Sequence, residues 1–277
     1  MKYHLMSAVA AIVVTAGVVV AVTSSEAAAG PAIGGGYTDA IAIPVNDPSV
    51  KEIAGALFKP QGAGPFPAVV YMPTCGGPGF PPELQQEKGV IDRMLSKGIA
   101  TLIVDPFTAR GEKDGVCNTL NDKTYVQLFT RGGDDAVAAL KAIKSMPDID
   151  PNKVLLQGYS YGAISLFYAT DMNTPGTHDT KVAGLVAYYP LCYDNVDPLV
   201  PTLVLIGDKD DMVPVAKCQA VTGKPNFEVV VYPGATHAFT MPWEKPMDYQ
   251  GHHFAYDEAS TKDAQKRAEA FIDAHLK

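Results

Sequence analysis

Val154-Leu155-Leu156-Gln157-Gly158-Tyr159-Ser160-Tyr161-Gly162-Ala163-Ile164-Ser165-Leu166-Phe167 is the stretch on which the fold turns. It opens as a short apolar run of strand length and closes on a segment of helical character. Between the two, Ser160 stands with a glycine two residues to either side. A serine at a sharp strand-to-helix corner must adopt a strained backbone conformation, and side chains at the flanking glycines would hold strand and helix apart. Such a corner exposes the serine hydroxyl above the sheet, as a nucleophile elbow requires.

Two more stations lie downstream, each just after a strand-like run. Gly207-Asp208-Lys209-Asp210-Asp211-Met212-Val213-Pro214 follows the first, and Tyr232-Pro233-Gly234-Ala235-Thr236-His237 follows the second. Serine, then acid, then histidine is the chain order of an α/β-hydrolase triad. A lone Gly-x-Ser-x-Gly is compatible with an ordinary loop, but a surface turn with unrelated polar residues leaves this threefold order unexplained.

Working outward, strand-like runs recur at Ile53–Phe58, Ala68–Tyr71, Ala100–Val104, Val154–Gln157, Gly184–Tyr189, Thr202–Ile206 and Phe227–Tyr232. Several are almost continuously apolar, as strands buried on both faces are. Helix-like segments separate them: Glu83–Lys97, Thr124–Met146 with an interrupting Gly132-Gly133, the segment after Ser160, Val215–Thr222 and Asp257–Leu276. This alternation predicts a mainly parallel central sheet with helices on both faces. The connection from Tyr189 to Thr202 and the segment from Phe239 to Phe254 show no period and read as irregular.

Residues 1–29 read as a signal peptide. Lys2 and His4 precede an apolar stretch from Leu5 to Val22, and Ala27 and Ala29 offer a small-residue cleavage site. The expected location is therefore the periplasm or the exterior, the alternative being an anchor formed by an uncleaved hydrophobic segment. Residues 30–277 are expected to form a single α/β-hydrolase domain. The formal charge of −8 and the lack of a basic run argue against nucleic acid or an anionic membrane surface as partner.

Four cysteines, Cys75, Cys117, Cys192 and Cys218, would then meet an oxidising compartment. Cys192 with Cys218 is the preferred disulfide, since each lies shortly after a predicted strand and neighbouring strands run only about 5 Å apart. Cys75 with Cys117 is the residual pair, and free buried thiols are the alternative. No zinc spacing occurs, and no metal or organic cofactor is expected.

Ser160 needs a base within hydrogen-bond reach, and His237 is the one histidine that follows a strand through a Pro-Gly turn. The acid comes from the loop after Thr202–Ile206. Asp208 reads as a solvated turn residue, and the spacing Gly-x-x-Asp-x-x-Val-Pro picks Asp210, as in known α/β-hydrolases, with Asp211 as competitor. An oxyanion hole takes one amide from the residue after the nucleophile, Tyr161, and one from the loop after an earlier strand. Within Pro73-Thr74-Cys75-Gly76-Gly77, Cys75 is the first choice and Gly76 the second; Pro73 has no N–H to donate.

Together these motifs resemble the dienelactone hydrolase family of α/β-hydrolases. Pro65-Phe66-Pro67-Ala68-Val69-Val70 before a Cys-Gly-Gly loop is similar to the family's opening, and Asp105-Pro106-Phe107-Thr108-Ala109-Arg110-Gly111 to its Asp-x-Phe/Tyr-x-x-Arg segment. Tyr188-Tyr189-Pro190, the Gly207–Pro214 loop, Tyr232–Phe239 and the final helix with Phe271-Ile272 extend the resemblance over nearly all of the mature chain. The founding members carry cysteine where Ser160 stands, and a glutamate in the loop where this chain has Thr74-Cys75-Gly76. The resemblance therefore implies a general carboxylic ester hydrolase acting on a small-molecule ester or lactone through Ser160. It also implies candidate substrate contacts at Arg110 and Gly76, the alternative for Arg110 being an arginine that pins its own loop. A peptidase or amidase on the same fold, or a binding protein that has kept the fold, are the competing readings.

Overall fold

The computed structural model describes residues 31–277 apart from Asp39 and Pro198. The expected leader, residues 1–29, lies outside the described residues. The first strands are β1 (Ala40–Pro44), β2 (Glu52–Phe58), β3 (Phe66–Met72), β4 (Ala100–Asp105) and β5 (Ile149–Tyr159). They are followed by β6 (Leu185–Tyr188), β7 (Thr202–Gly207) and β8 (Phe227–Tyr232). These eight form one sheet in the order β1-β2-β4-β3-β5-β6-β7-β8. β2 pairs antiparallel with β1 and with β4, and every pairing from β4 through β8 is parallel. This is the α/β-hydrolase fold.

The central strands carry apolar residues on both faces because both faces are covered. Val69, Val70, Leu102, Ile103, Leu155, Leu156, Val204 and Leu205 are all buried. The covering helices are α1 (Pro81–Ser96), α2 (Tyr125–Lys144), α3 (Tyr161–Thr170), α4 (Val215–Ala220) and α5 (Glu258–His275). Two neighbours on β5 separate the layers, since successive strand residues point to opposite faces. Gln157 borders a crevice with Val90 and Met94 of α1 and Ala268 and Ile272 of α5. A Cβ on Gly158, on the other face, would come within 2.7 Å of Leu166 in α3.

The structure departs from the sequence reading in three places. α2 runs unbroken through Gly132-Gly133, because those glycines are a packing feature: a Cβ on Gly132 would lie 2.2 Å from Ser165 Oγ of α3 and one on Gly133 2.9 Å from Tyr168 Cβ. β1 is an edge strand that the alternation did not disclose; Pro44 ends it, a position where a missing N–H is tolerated. The segment from Phe239 to Phe254 holds a small hairpin, β9 (Met247–Tyr249) with β10 (His252–Phe254).

The parallel topology sends the carboxyl ends of β3, β5, β7 and β8 to the same edge of the sheet. Ligands in open α/β sheets bind beyond that edge. The sequence-selected triad and oxyanion-hole candidates follow those four strands, and Arg110 follows β4.

Candidate active site

Ser160 follows β5 directly and has φ 49° and ψ −114°, a left-handed conformation rare outside glycine. The strain is held from both sides. Ser160 N donates to Tyr188 O at 3.0 Å, and Ile164 N in α3 donates to Ser160 O at 3.0 Å. Neither flanking glycine is replaceable: a Cβ on Gly158 would lie 2.7 Å from Ala163 N, and one on Gly162 2.3 Å from Met72 O of β3. The motif is thus a steric solution for turning a strand into a helix against a neighbouring strand.

His237 lies in the turn after β8 and is 2 % exposed. Its Nε2 is 2.9 Å from Ser160 Oγ, and its Nδ1 is 2.7 Å from Asp210 Oδ2. Asp210 Oδ1 accepts from Met212 N at 3.1 Å and Val213 N at 2.9 Å, so the acid is fixed by its own loop. The acid and histidine loops are stitched together. Lys209 N donates to Ala235 O at 3.0 Å, and Gly234 N donates to Asp208 Oδ1 at 2.7 Å. Asp208 is therefore a turn residue tied to the neighbouring loop. Asp211 points elsewhere, toward His252 Nδ1 and His253 N of the hairpin, both at 3.2 Å.

The imidazole is clamped by rings. Tyr189 and Phe254 meet it edge-on with centroids at 5.1 and 6.0 Å. Phe254 belongs to β10, and His237 bridges to it as a short parallel pairing. The segment that looked irregular in sequence thus supplies a wall for the histidine.

Tyr161 is the first residue of α3, where helix amides have no intrahelical partner. In the loop after β3, Thr74 N donates to Glu83 Oε2, Gly76 N to Thr74 Oγ1 and Gly77 N to Thr74 O. Among the described residues the amide of Cys75 has no such partner. It is the loop donor free to meet a developing negative charge. Two constraints hold this loop. Cys75 is disulfide-bonded to Cys117, and Val116 N donates to Cys75 O at 2.7 Å. From below, buried Glu83 accepts Tyr71 OH and Thr74 Oγ1, both at 2.6 Å; burial pushes its carboxyl up against the pull of those donors.

Sequence reasoning passed over a buried polar run that joins the two halves of the site. Gln86 donates to Tyr71 OH at 3.2 Å, Thr240 donates to Gln86 Oε1 at 2.6 Å, and Tyr189 OH lies 2.8 Å from Thr240 Oγ1. It connects β3 and the loop after it to the Tyr189 ring that meets His237.

Arg110 takes the alternative reading, an arginine that pins its own loop. The Arg110 side chain is 3 % exposed and is enclosed by protein acceptors. It forks onto both Asp135 oxygens at 2.9 Å, donates to Asp47 Oδ2 at 2.9 Å through Nε and to Pro106 O at 2.6 Å. An arginine so engaged pins the segment after β4 and has no donor left for a substrate carboxylate. At half-buried Gly76 a Cβ would press on the Phe80 ring at 3.1 Å, so the position is also tight for packing.

The second disulfide joins Cys192, in the crossover after β6, to Cys218 of α4. It ties the crossover to the segment that continues the acid loop. Beside Ser160 opens a cavity of about 560 Å³, walled by α2, α3, the crossover and the acid loop through residues such as Phe129, Ile164, Leu191 and Met212. The arrangement can deprotonate a serine hydroxyl at the mouth of a cavity.

Comparison with known proteins agrees on the fold. A sequence profile of the dienelactone hydrolase family matches residues 53–276. No curated protein matches the chain significantly. Among solved structures, a Klebsiella pneumoniae protein assigned as a dienelactone hydrolase is 22 % identical with a TM-score of 0.62, covering 84 % of this chain and 97 % of its own. A dienelactone hydrolase-like promiscuous phosphotriesterase from metagenomic libraries is 19 % identical with a TM-score of 0.63, covering 86 % and 98 %. Esterase 2 of Thermogutta terrifontis with bound propionate is 15 % identical with a TM-score of 0.57, covering 85 % and 94 %.

Proposed function

The chain belongs to the dienelactone hydrolase family, and from that premise we propose that it is an exported serine hydrolase that cleaves a carboxylic ester or lactone through an acyl-enzyme on Ser160. The observation that carries this reading is the unbroken hydrogen-bonded series Ser160 Oγ, His237 Nε2, His237 Nδ1, Asp210 Oδ2, at 2.9 and 2.7 Å.

In the proposed cycle His237 Nε2 takes the Ser160 proton as Oγ attacks the ester carbonyl. Asp210 holds the Nδ1–H tautomer and stabilises the imidazolium. The carbonyl oxygen becomes negative and is met by the Tyr161 and Cys75 amides, donors that need no reorganisation during the reaction. Collapse breaks the bond to the alkoxide, which leaves with the proton from His237. A water then attacks the acyl carbonyl while His237 takes its proton, and Ser160 regains a proton as the acid departs. The reaction needs no group beyond these residues and water.

Two disulfides among the described residues fit an oxidising compartment, which supports export. No described helix is long and apolar enough to cross a membrane. The test is hydrolysis of p-nitrophenyl esters of graded chain length and simple lactones by the parent and by Ser160→Ala. The substitution is expected to lower kcat by about 10⁴-fold or more. A variant that keeps a tenth of the parental kcat overturns the reading.

A further inference from the structure

Resting on the Ser160 chemistry just proposed, we infer that the cavity beside Ser160 takes an uncharged aromatic ring, so that the substrate class is a neutral aryl-bearing carboxylic ester. Three observations carry this.

The cavity, about 560 Å³, is far larger than an acetyl group needs and falls in the range of sites for drug-sized ligands. A small ester would leave most of it to water.

One wall is a continuous run of rings. Tyr125 meets Phe129 at 6.2 Å between centroids, Phe129 meets Tyr161 at 5.6 Å and Tyr168 at 5.9 Å, and Tyr168 meets Tyr193 at 6.3 Å. All five border the cavity. Two of the tyrosines turn their hydroxyls inward: Tyr161 OH donates to Leu128 O at 3.0 Å and Tyr193 OH to Asp171 Oδ2 at 2.8 Å. Tyr161 is fully buried and backs the wall, and the ring surface on offer comes from half-exposed Tyr125 and from Tyr193, with narrow faces of Tyr168 and Phe129. Tilted and edge-on rings at these spacings complement another aromatic ring, and a rigid ring loses less freedom on binding than an alkyl chain of equal size.

The cavity has no charge to spare for an anionic substrate. Among the described residues its one lining cation, Lys217, is paired with Asp194, and Asp122 adds a further carboxylate. Arg110 is occupied as described, and Arg131 is neutralised by a fork onto Glu112 at 3.0 and 2.6 Å, its buried Nε alone lacking an acceptor among the described residues. A substrate carboxylate entering here would lose water without gaining a partner.

The ring can sit in the acyl half or the alcohol half of the ester, and the experiment separates the two. Acid release is followed by titration for methyl 3-phenylpropanoate against methyl nonanoate, and for benzyl acetate against heptyl acetate. Methyl 3-(4-carboxyphenyl)propanoate tests charge, and Ser160-dependent turnover of p-nitrophenyl acetate reports the chemistry alone. The expected result is a kcat/KM about tenfold or more higher for the ring-bearing ester than for its alkyl counterpart in one of the two pairs. The carboxylated analogue is expected to be slower than methyl 3-phenylpropanoate by a similar factor if the acyl pair is the selective one, and to gain nothing over it otherwise. Tyr168→Leu, and independently Tyr125→Ala at the half-exposed rim, should reduce the selective pair's ratio. Equal or better turnover of the alkyl ester in both pairs, a preference for the carboxylated ester, or ratios unmoved by both variants overturns the inference. If p-nitrophenyl acetate turnover still depends on Ser160 in that event, the hydrolase reading stands and only the substrate class falls. If that turnover is absent, both fall.

Discussion

His237 connects more of the molecule than any other single residue of the site. It touches Ser160 and Asp210 through its two nitrogens and Tyr189 and Phe254 through its ring. Only the carboxylate that faces Nδ1 can fix its tautomer, and that is Asp210. Asp211 serves the hairpin. Asp210→Asn is therefore expected to lower kcat by about 10⁴-fold, whereas Asp211→Asn should leave kcat near that of the parent. Steady-state kinetics on any accepted ester decides between them; a larger loss from Asp211→Asn would place the acid wrongly. The triad candidates were legible in sequence because each follows a strand at a fixed, short offset. The residues that support them were not. Gln86 and Thr240 lie 154 positions apart, and a hydrogen bond across that separation leaves no local pattern. At Arg110 the motif position left substrate binding and loop pinning both open, and the carboxylate partners that favour pinning, Asp47 and Asp135, could be found only in three dimensions.

At the scale of elements, runs buried on both faces were the most legible: β3, β4, β6 and β7 appear with ends shifted by at most two residues. Strands and hairpins at the periphery, β1 and the β9–β10 pair, have too few buried residues to raise a clear period. Gly132-Gly133 misled for a physical reason, since glycine lowers intrinsic helix propensity yet here permits the close approach of α2 and α3. This makes Gly132→Ala a sharp test. Alanine should favour the isolated helix by about 1 kcal/mol, but its Cβ would fall 2.2 Å from Ser165 Oγ and 2.7 Å from Tyr161 OH. Overpacking is expected to win, lowering unfolding free energy by about 1–3 kcal/mol. Urea denaturation measures it, and an unchanged or stabilised variant would mean that the helix contact is looser than described.

Across the whole molecule, two disulfides close loops around the same edge of the sheet. Cys192 and Cys218 are 26 residues apart and Cys75 and Cys117 are 42 apart. The chain-entropy relation makes the first worth about 3.5 kcal/mol and the second about 4 kcal/mol. Replacing Cys192 and Cys218 together by alanine should lower unfolding free energy by about that first amount in the oxidised protein, and a reducing agent should narrow the gap between parent and variant. Denaturation curves that coincide without reductant would show that the bridge contributes nothing to stability.

The central claim is that Ser160 is the nucleophile of a serine hydrolase, and covalent trapping tests it most directly. The purified protein is treated with a fluorophosphonate, digested and mapped by mass spectrometry. The account predicts one adduct per chain, on the peptide carrying Gly158-Tyr159-Ser160-Tyr161-Gly162, with loss of ester turnover in step with labelling and no adduct on His237→Ala within the time that labels the parent. An adduct on another residue, or full turnover in a protein whose Ser160 is quantitatively labelled, would contradict it.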